Sequence, residues 1–253
     1  MSPTLRKWIF LPMLVGFSIL FLWGLWDMPP LGVYRGPYGD IINRSVVAQR
    51  HVTDAVTAVN FDYRGVDTLG EESILFVSIT GTLALLRRHR DETEHPPIDM
   101  AQTRNVPATS DAVRVFGLYF IGLSALFGIY IVTHGQLSPG GSFQGGVIVA
   151  SALLLVYIAG SFEEFHRSIS QEAFEVAEAF GIGIYVAIGL LGLFFGTAFL
   201  QNVLPLGQSG SVIGGGTIPL ISATVGLAVS SGFIILLYTF LEDTLVHRPR
   251  GES

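Results

Sequence analysis

The sequence contains no cysteine and only one lysine among its 253 residues. Without cysteine, the chain cannot form disulfides, ligate an iron–sulfur cluster or hold a metal through thiolates. The single lysine, Lys7, does not follow a glycine-rich stretch, which excludes a Walker-type phosphate loop. The formal net charge is −6, so we expect no nucleic-acid partner.

Charged residues are also scarce, at 13% of the chain, whereas half of the residues are hydrophobic. The mean hydropathy of +0.55 is high for a soluble domain. Most of the uncharged runs approach the roughly 20 residues that a membrane-spanning helix needs. We therefore predict an all-α integral membrane protein with about six transmembrane helices. The runs are Trp8–Trp26, Ser73–Leu86, Val115–Thr133, Phe143–Phe162, Ala179–Gln201 and Ile218–Leu241.

The second of these runs is too short to cross a bilayer, because 14 residues of helix cover only about 21 Å. Extending it back to Leu69 brings Glu71 and Glu72 to the edge of the hydrocarbon. Charged groups there are costly and usually face a bundle interior or a water-filled path. Glu71 and Glu72 are therefore candidate ion-handling groups, which can take up and release protons. Alternatively, the pair marks the helix start, where the helix dipole favours carboxylates.

The distribution of arginine predicts the topology. Arginines lie between the second and third spans and after the last span, whereas the loops after the third and fifth spans contain neither arginine nor lysine. The positive-inside rule then predicts that both termini are cytoplasmic. A polar stretch at 91–111 predicts a linker between a two-helix unit (1–90) and a four-helix unit (112–246), with a cytoplasmic tail at 247–253. In the first unit, Val46–Phe61 has the spacing of an amphipathic surface helix.

The segment His134–Gly146, HGQLSPGGSFQGG, places five glycines and a proline between two strong spans. Two interpretations stay open. One is an irregular element lining an ion path, with His134 and Gln144 at its mouth; the other is a tight turn whose glycines let two helices pack against a partner subunit. Because the segment holds no charged group, we expect it to shape a helix entry rather than bind a ligand. The residues of this structural motif are Pro139, Gly140, Gly141, Phe143, Gln144, Gly145 and Gly146.

Other polar residues have simpler interpretations. Arg64 and Asp67 are three residues apart, and we expect a surface ion pair of little consequence if this stretch is helical. Glu172, Glu175 and Glu178 recur at every third residue before the fifth span, which predicts a solvated interfacial face, although Glu178 adjoins the apolar run. No two histidines are placed to face each other around a haem or a metal, so we expect neither a cofactor nor a metal site.

Two stretches resemble one known family. His134–Ala150, HGQLSPGGSFQGGVIVA, resembles the signature of the B subunit of Mrp-type multisubunit Na⁺/H⁺ antiporters. In that family a histidine and then Pro-Gly-Gly-x-Phe-Gln-Gly-Gly join two helices. The resemblance covers Asp111–Leu245, and it implies that Pro139 and Phe143 are important to this unit.

Asp54–Glu71, DAVTAVNFDYRGVDTLGE, resembles the C-terminal segment of the large A-type subunit of the same antiporters, which is a separate small subunit in related membrane-bound hydrogenases. Val66 stands where an aromatic residue is usual. The resemblance implies that Glu71 is an ion-pathway carboxylate. Glu72 is an extra acid, so the resemblance leaves open which carboxylate acts. The matching residues are Arg64, Gly65, Asp67, Thr68, Leu69, Gly70 and Glu71.

The resemblance implies a fusion of two units within a large membrane complex related to the proton-pumping arm of respiratory complex I. The chain would be a non-catalytic subunit of a cation (Na⁺)/proton antiporter in the cell (inner or plasma) membrane, with A-, C- and D-type and small subunits as partners. The alternative is a coupling subunit of an energy-converting complex, resembling a membrane-bound hydrogenase or a CO₂-hydrating complex. The short second span argues against a pure scaffold. The candidate ion-pathway residues are Asp67, Thr68, Glu71, Glu72 and His134.

Overall fold

A computed structural model describes residues 3–26, 28, 32, 36–86 and 109–246. Every regular element in these ranges is helical, and six helices are long and apolar enough to cross a membrane. The predicted all-α integral membrane protein with six transmembrane helices is therefore confirmed. The linker predicted at 91–111 lies outside the described residues up to 108, and so does the tail at 247–253. The cytoplasmic location of both termini stays a prediction.

The chain divides into two compact units, Met1–Ile41 and Ile42–Ser253. The first contains α1, Pro3–Trp26, which matches the predicted span from Trp8 onward. Large apolar side chains are exposed along α1 from Trp8 to Trp26. A helix that is apolar on all sides needs lipid or other helices around it, which is what a transmembrane span requires.

The second unit contains a surface region followed by the remaining long helices. The surface region comprises most of α2 (Pro37–Arg50), then α3 (Ala55–Ala58) and a π-helical turn (Val59–Tyr63). A short helix connects two of the long ones. The helices that follow are α4 (Gly65–Leu86), α5 (Asp111–His134), α6 (Ser142–Ala159), α7 (Phe162–Ser168), α8 (Gln171–Phe195) and α9 (Ile218–Val246).

Helix α9 is the centre of the second unit. It packs against α8, α6 and α4, while α5 packs mainly against α6 and α4 also contacts α8. Because other helices surround α9, most of its sides carry apolar or small side chains. The main core cluster joins α9 residues such as Val225 and Val229 to Tyr185 of α8 and to Val46 and Phe61 of the surface region. The surface region is therefore part of the same core as the membrane helices.

The single amphipathic helix predicted over Val46–Phe61 is wrong. Helix α2 ends at Arg50, and His51 adopts a positive φ of 56°, a left-handed conformation that ends a helix. The chain restarts at Asp54, whose carboxylate caps α3 by accepting from the Thr57 backbone N–H at 3.0 Å. The apolar spacing was real, but it belongs to two helices separated by a break.

The second transmembrane helix begins earlier than the uncharged run suggests. Helix α4 has 22 residues, which is about 33 Å and enough to cross the hydrocarbon. It begins at Gly65, not at Ser73 or Leu69, so Asp67, Glu71 and Glu72 lie within the helix. The start was predicted too late because charged residues were taken as the boundary of the span.

Candidate functional site: buried carboxylates at a helix seam

One face of α4 is turned toward α8 and α9. Thr68, Glu72 and Ile79 are buried on this face, at spacings of four and seven residues that align side chains along a helix. We call the contact region of these three helices the acidic seam. It is defined by Thr68, Glu72 and Ile79 of α4, Glu178 and Tyr185 of α8, and Gly232 of α9.

Glu72 is enclosed by the protein, with an exposed fraction of 1%. Neither of its carboxylate oxygens accepts a hydrogen bond from a described residue. An unpaired buried carboxylate costs several kcal/mol, unless a proton or a small cation neutralises it. Glu71 points about 100° away around the helix and is exposed on the surface of the chain.

The start of α4 gives the seam further polar groups. The π-helical turn and the helix break before Gly65 leave backbone carbonyls that the helix does not use. The Thr68 hydroxyl donates to the Asn60 carbonyl at 2.8 Å, and the buried Tyr185 hydroxyl donates to the Gly65 carbonyl at 2.8 Å. Irregular backbone is tolerated at a membrane only where such partners satisfy it. Thr68 lies one helical turn from Glu72.

Glu178 of α8 is a second buried carboxylate, with an exposed fraction of 4%. Its Oε1 atom has no hydrogen-bond partner among the described residues. A Cβ atom on Gly232 would lie 2.8 Å from this oxygen and would also collide with Ile79 Cδ1. Because residue 232 is glycine, the carboxylate of Glu178 can pack directly against α9. Through Ile79, which shares the buried face of α4 with Glu72, Glu178 belongs to the same seam as Glu72.

The glycine-rich segment 135–141 is a turn between α5 and α6. Gly140 and Gly141 have φ values of 157° and 155°, and Gly141 has ψ of 163°, a backbone region that is essentially restricted to glycine. A Cβ at Gly141 would also meet Gln144 Oε1 at 2.5 Å. Behind the turn, the buried Ser142 hydroxyl lies 2.7 Å from the Ser222 hydroxyl of α9. The segment is thus a tight turn, while its packing against a partner subunit and a role in lining an ion path stay predictions.

Glycines beside this turn bring helix backbones into direct contact. A Cβ at Gly145 of α6 would lie 2.7 Å from the Gly128 carbonyl oxygen of α5, and a Cβ at Gly128 would lie 2.8 Å from the Gly145 carbonyl oxygen. On the other side, a Cβ at Gly146 would lie 3.0 Å from the Gly226 carbonyl oxygen of α9. We call the Gly128–Gly145 contact, with α5 and α6 around it, the glycine-packed pair.

The two family-like motifs touch each other through hydrogen bonds. Backbone N–H groups of Thr53 and Asp54 donate to the Gln136 carbonyl at 3.1 and 3.2 Å. The Thr57 hydroxyl lies 2.7 Å from the Gly135 carbonyl and 2.6 Å from the Asp54 carboxylate. The Thr53 hydroxyl adds a bond to the Leu137 carbonyl at 2.6 Å. The surface region is thus attached directly to the glycine turn.

A second set of polar contacts ties the surface region to the segment between α8 and α9. Asp62 receives hydrogen bonds from Arg50 Nε at 2.7 Å and from Asn202 Nδ2 at 2.8 Å. Asn202 also donates to the Gly215 carbonyl at 2.9 Å, which fixes the chain just before α9. The Asp62 side chain is almost buried, at 5% exposed. Pairing on both carboxylate oxygens sets Asp62 apart from the acids of the seam.

The remaining predicted residues are distributed as follows. Arg64 and Asp67 form the expected surface ion pair, with an N–O distance of 2.5 Å and more than half of each side chain exposed. His134 Nδ1 lies 3.0 Å from the Tyr130 carbonyl of its own helix, and the two rings stack.

The half-buried Phe143 packs against the main core cluster. Gly65 is buried, whereas Gly70, Pro139 and Gln144 are exposed.

Two buried polar residues of this region were not found by sequence reasoning. Tyr185 is a lone tyrosine in an apolar span, with no neighbouring polar pattern to single it out. Gln136 lies within the glycine turn, is 1% exposed, and donates through Nε2 to the Val212 carbonyl. Within the described ranges, no group of three or more His, Asp or Glu side chains is arranged to hold a metal ion.

Comparison with known proteins agrees with the fold and the turn. Residues 112–235 match the family model described as a domain related to the MnhB subunit of Na⁺/H⁺ antiporter. The match runs from α5 into α9 and contains the glycine turn. A Staphylococcus aureus protein named antiporter subunit mnhB2 is 34% identical over 88 residues, which are 32% of this chain and 62% of that protein. Residues 112–235 are thus similar to the MnhB-related domain of these antiporters.

Longer matches extend the likeness of this chain to known proteins beyond the MnhB-related domain. An uncharacterized protein of Methanocaldococcus jannaschii is 27% identical over 210 residues, covering 76% of this chain and 78% of that protein. A Rhizobium meliloti protein, named as the probable A/B subunit of a K⁺/H⁺ antiporter, is 26% identical over 220 residues. The match covers 79% of this chain but only 22% of the Rhizobium protein.

Two solved structures share the fold of this chain. A chain of the membrane-bound sulfane sulfur reductase, described as an archaeal respiratory membrane complex, has a TM-score of 0.68 and 29% identity, with 96% of this chain and 100% of that chain covered. A chain of the Mrp complex of Dietzia has a TM-score of 0.66 and 21% identity, covering all of this chain and 27% of that one. The chain is a multi-pass cell-membrane protein that carries a domain similar to the MnhB subunit.

Proposed function

We propose that the chain is a non-catalytic subunit of a Na⁺/H⁺ antiporter complex, and that Glu72 carries an ion through it. The single observation behind this proposal is the placement of Glu72 within a membrane-spanning helix, 1% exposed and without a hydrogen-bond partner among the described residues. A structural carboxylate would be paired, as Asp62 is. An unpaired one in hydrocarbon is costly and points to an ion or proton path.

The burial of the two adjacent glutamates favours Glu72 over Glu71 as the ion carrier. Family resemblance assigns the role to Glu71, which is exposed at the surface of this chain together with Asp67. In our proposal Glu71 lies at the contact with a companion subunit or with water, and Glu72 supplies the enclosed step. Thr68 contributes to the same seam, one turn from Glu72. His134 lies outside this seam, at the end of α5 just before the glycine turn.

The fusion of an A-type segment with a B-type unit is also part of the proposal. The Rhizobium relative carries both letters in its name and matches 79% of this chain, which supports that organisation. The hydrogen bonds from Thr53, Asp54 and Thr57 to residues 135–137 support coupling between the two units. We propose A-, C- and D-type antiporter subunits and small membrane subunits as the partners.

A second candidate function is a coupling subunit of an energy-converting complex. The observation that favours it is the match to the sulfane sulfur reductase chain, which covers nearly all of both chains. Purifying the intact complex and identifying its companions separates the two candidates. A soluble redox subunit that copurifies supports the second, whereas membrane antiporter subunits alone support the first.

Na⁺-driven proton flux through the reconstituted complex tests the proposed role of Glu72. Glu72→Gln keeps the shape and hydrogen-bonding capacity of the side chain but removes its titratable group. We expect a loss of flux of about tenfold or more, which corresponds to at least ~1.4 kcal/mol on the barrier, with normal subunit recovery. Glu71→Gln is the matched control on the adjacent residue and should stay within about twofold of wild type. Wild-type flux in Glu72→Gln would overturn the proposal.

A further inference from the structure

We propose that Glu178 of α8 is a second ion-carrying carboxylate and that protons pass between it and Glu72 along the acidic seam. This inference rests on the proposed function of Glu72 and extends it to a second helix. Each transfer breaks the O–H bond of one carboxylic acid and forms an O–H bond on the other carboxylate. No oxidant, reductant or cofactor is needed for that step.

The first argument is the setting of Glu178. It is nine-tenths or more enclosed, and its Oε1 atom is unpaired among the described residues, as are both oxygens of Glu72. Gly232 leaves the space beside Oε1, where any larger residue would displace the carboxylate or Ile79. Glu178 and Ile79 both border Gly232, and Ile79 lies about two helical turns from Glu72 on the same face of α4, so the two carboxylates belong to one seam.

The second argument is that polar groups continue from the pair toward both ends of the seam. Toward α7, Glu175 is exposed one helical turn before Glu178. Its carboxylate accepts a hydrogen bond from Gln171 Nε2 at 2.8 Å. Toward the glycine turn, the Thr68 hydroxyl is one helical turn from Glu72 and bonds to the carbonyl of the exposed Asn60. The buried carboxylates thus lie between two polar entrances.

The third argument concerns which ion fits this arrangement. Hard metal cations take several oxygen ligands that converge on one point. The seam instead spaces its oxygens by turns of helix, and the groups against Glu178 Oε1 are Gly232 and Ile79, which offer no side-chain oxygen. Helix α9 carries no acidic or basic residue between Ile218 and Leu241, and its Thr224 hydroxyl donates within its own helix. A chain of single carboxylates suits a proton better than Na⁺.

The flux assay on the intact reconstituted complex also tests Glu178. We expect Glu178→Gln to lower Na⁺-driven proton flux about tenfold or more, and Glu178→Asp to restore part of it. Glu172→Gln, an exposed acid two turns earlier on α8, is the matched control and should stay within about twofold of wild type. If Glu178→Gln keeps wild-type flux while Glu72→Gln loses it, the relay is overturned and the proposed role of Glu72 stands. If both keep flux, both proposals fail.

Infrared difference spectroscopy gives a readout that does not depend on transport. A proton carried by the carboxylates of Glu72 and Glu178 predicts the C=O stretching band of a protonated carboxylic acid in the wild-type complex. This band should be lost or halved in Glu178→Gln and displaced in Glu178→Asp. Adding Na⁺ at fixed pH should leave the band unchanged. Loss of the band on addition of Na⁺ would overturn the assignment to a proton, and an unchanged band in both variants would overturn Glu178 as its carrier.

Discussion

The acidic seam and the glycine-packed pair are both helix contacts inside one membrane unit, yet they are built on opposite principles. At the glycine-packed pair, Gly128 and Gly145 let two backbones approach until a single Cβ would collide with a carbonyl oxygen. At the acidic seam, glycine at 232 instead leaves room beside the carboxylate of Glu178. One contact removes space between helices, and the other keeps space for a titratable group.

This difference assigns different roles to the two contacts. Without water to drive helix association, close packing and small residues hold membrane helices together, so the glycine-packed pair is a frame. Unpaired carboxylates contribute nothing to packing and carry a desolvation cost, which is why we propose a role in ion movement for the seam. The glycine turn belongs to the frame, because it bonds to the surface region through Gly135, and Ser222 behind it joins α9 to α5 and α6. Mutations at the two contacts should therefore fail in different ways.

The largest effect on assembly is expected from Gly145→Ala. Its Cβ would lie 2.6 Å from Val132 Cγ2 and 2.7 Å from the Gly128 carbonyl oxygen, so α5 and α6 must move apart. Overpacking of this kind costs about 1–3 kcal/mol. We expect recovery of the assembled complex after mild solubilisation to fall at least about fivefold. Gly122→Ala on α5 has open space around its Cβ and should leave recovery unchanged; equal losses in both would refute the frame.

A smaller effect is expected where the surface region attaches to the frame. Asp54→Ala removes the cap of α3 and a partner of the Thr57 hydroxyl, at a cost of about 1–2 kcal/mol. We expect the melting temperature of the complex to fall by a few degrees. Asp54→Asn keeps an oxygen in the capping position and should recover most of the loss. A melting temperature of Asp54→Asn as low as that of Asp54→Ala would show that the charge, not the cap, matters.

Within the seam, Tyr185→Phe tests whether polar groups beside Glu72 assist it. The change leaves the Gly65 carbonyl without the Tyr185 hydroxyl, at a cost of about 1 kcal/mol. We expect a two- to fivefold fall in proton flux per assembled complex, with recovery nearly normal. Tyr157→Phe on α6, outside the seam, is the matched control. If recovery fell and specific flux did not, Tyr185 would belong to the frame instead.

The smallest effect is expected from Arg64→Ala. The Arg64–Asp67 pair is exposed on both sides, and such pairs contribute about 0–1 kcal/mol. We expect stability and flux to stay within about twofold of wild type, and Asp67→Asn to behave alike. A large loss of flux in either variant, without a loss of recovery, would extend the ion path onto the surface of α4.

The fold was largely predictable because five charge-free runs lie close to real membrane helices. The start of α4 was not predictable, because Asp67, Glu71 and Glu72 interrupt the apolar run that marks a membrane span. The helix nevertheless begins at Gly65. The acidic seam was predictable only in part. Adjacent glutamates lie about 100° apart, so a sequence cannot say which one faces inward. Steps of three residues turn a helix by about −60°, which carries Glu178 about 120° from the exposed Glu172 and into the protein.

The most direct test of this account is proton flux per assembled complex, compared between Glu72→Gln and Gly145→Ala in the same reconstituted system. If the acidic seam carries the ion and the glycine-packed pair holds the frame, Glu72→Gln should assemble normally and lose about tenfold or more of its specific flux. Gly145→Ala should assemble poorly, while the complexes that form retain specific flux within about twofold of wild type. Unchanged specific flux in Glu72→Gln, together with a tenfold loss in assembled Gly145→Ala complexes, would contradict the account.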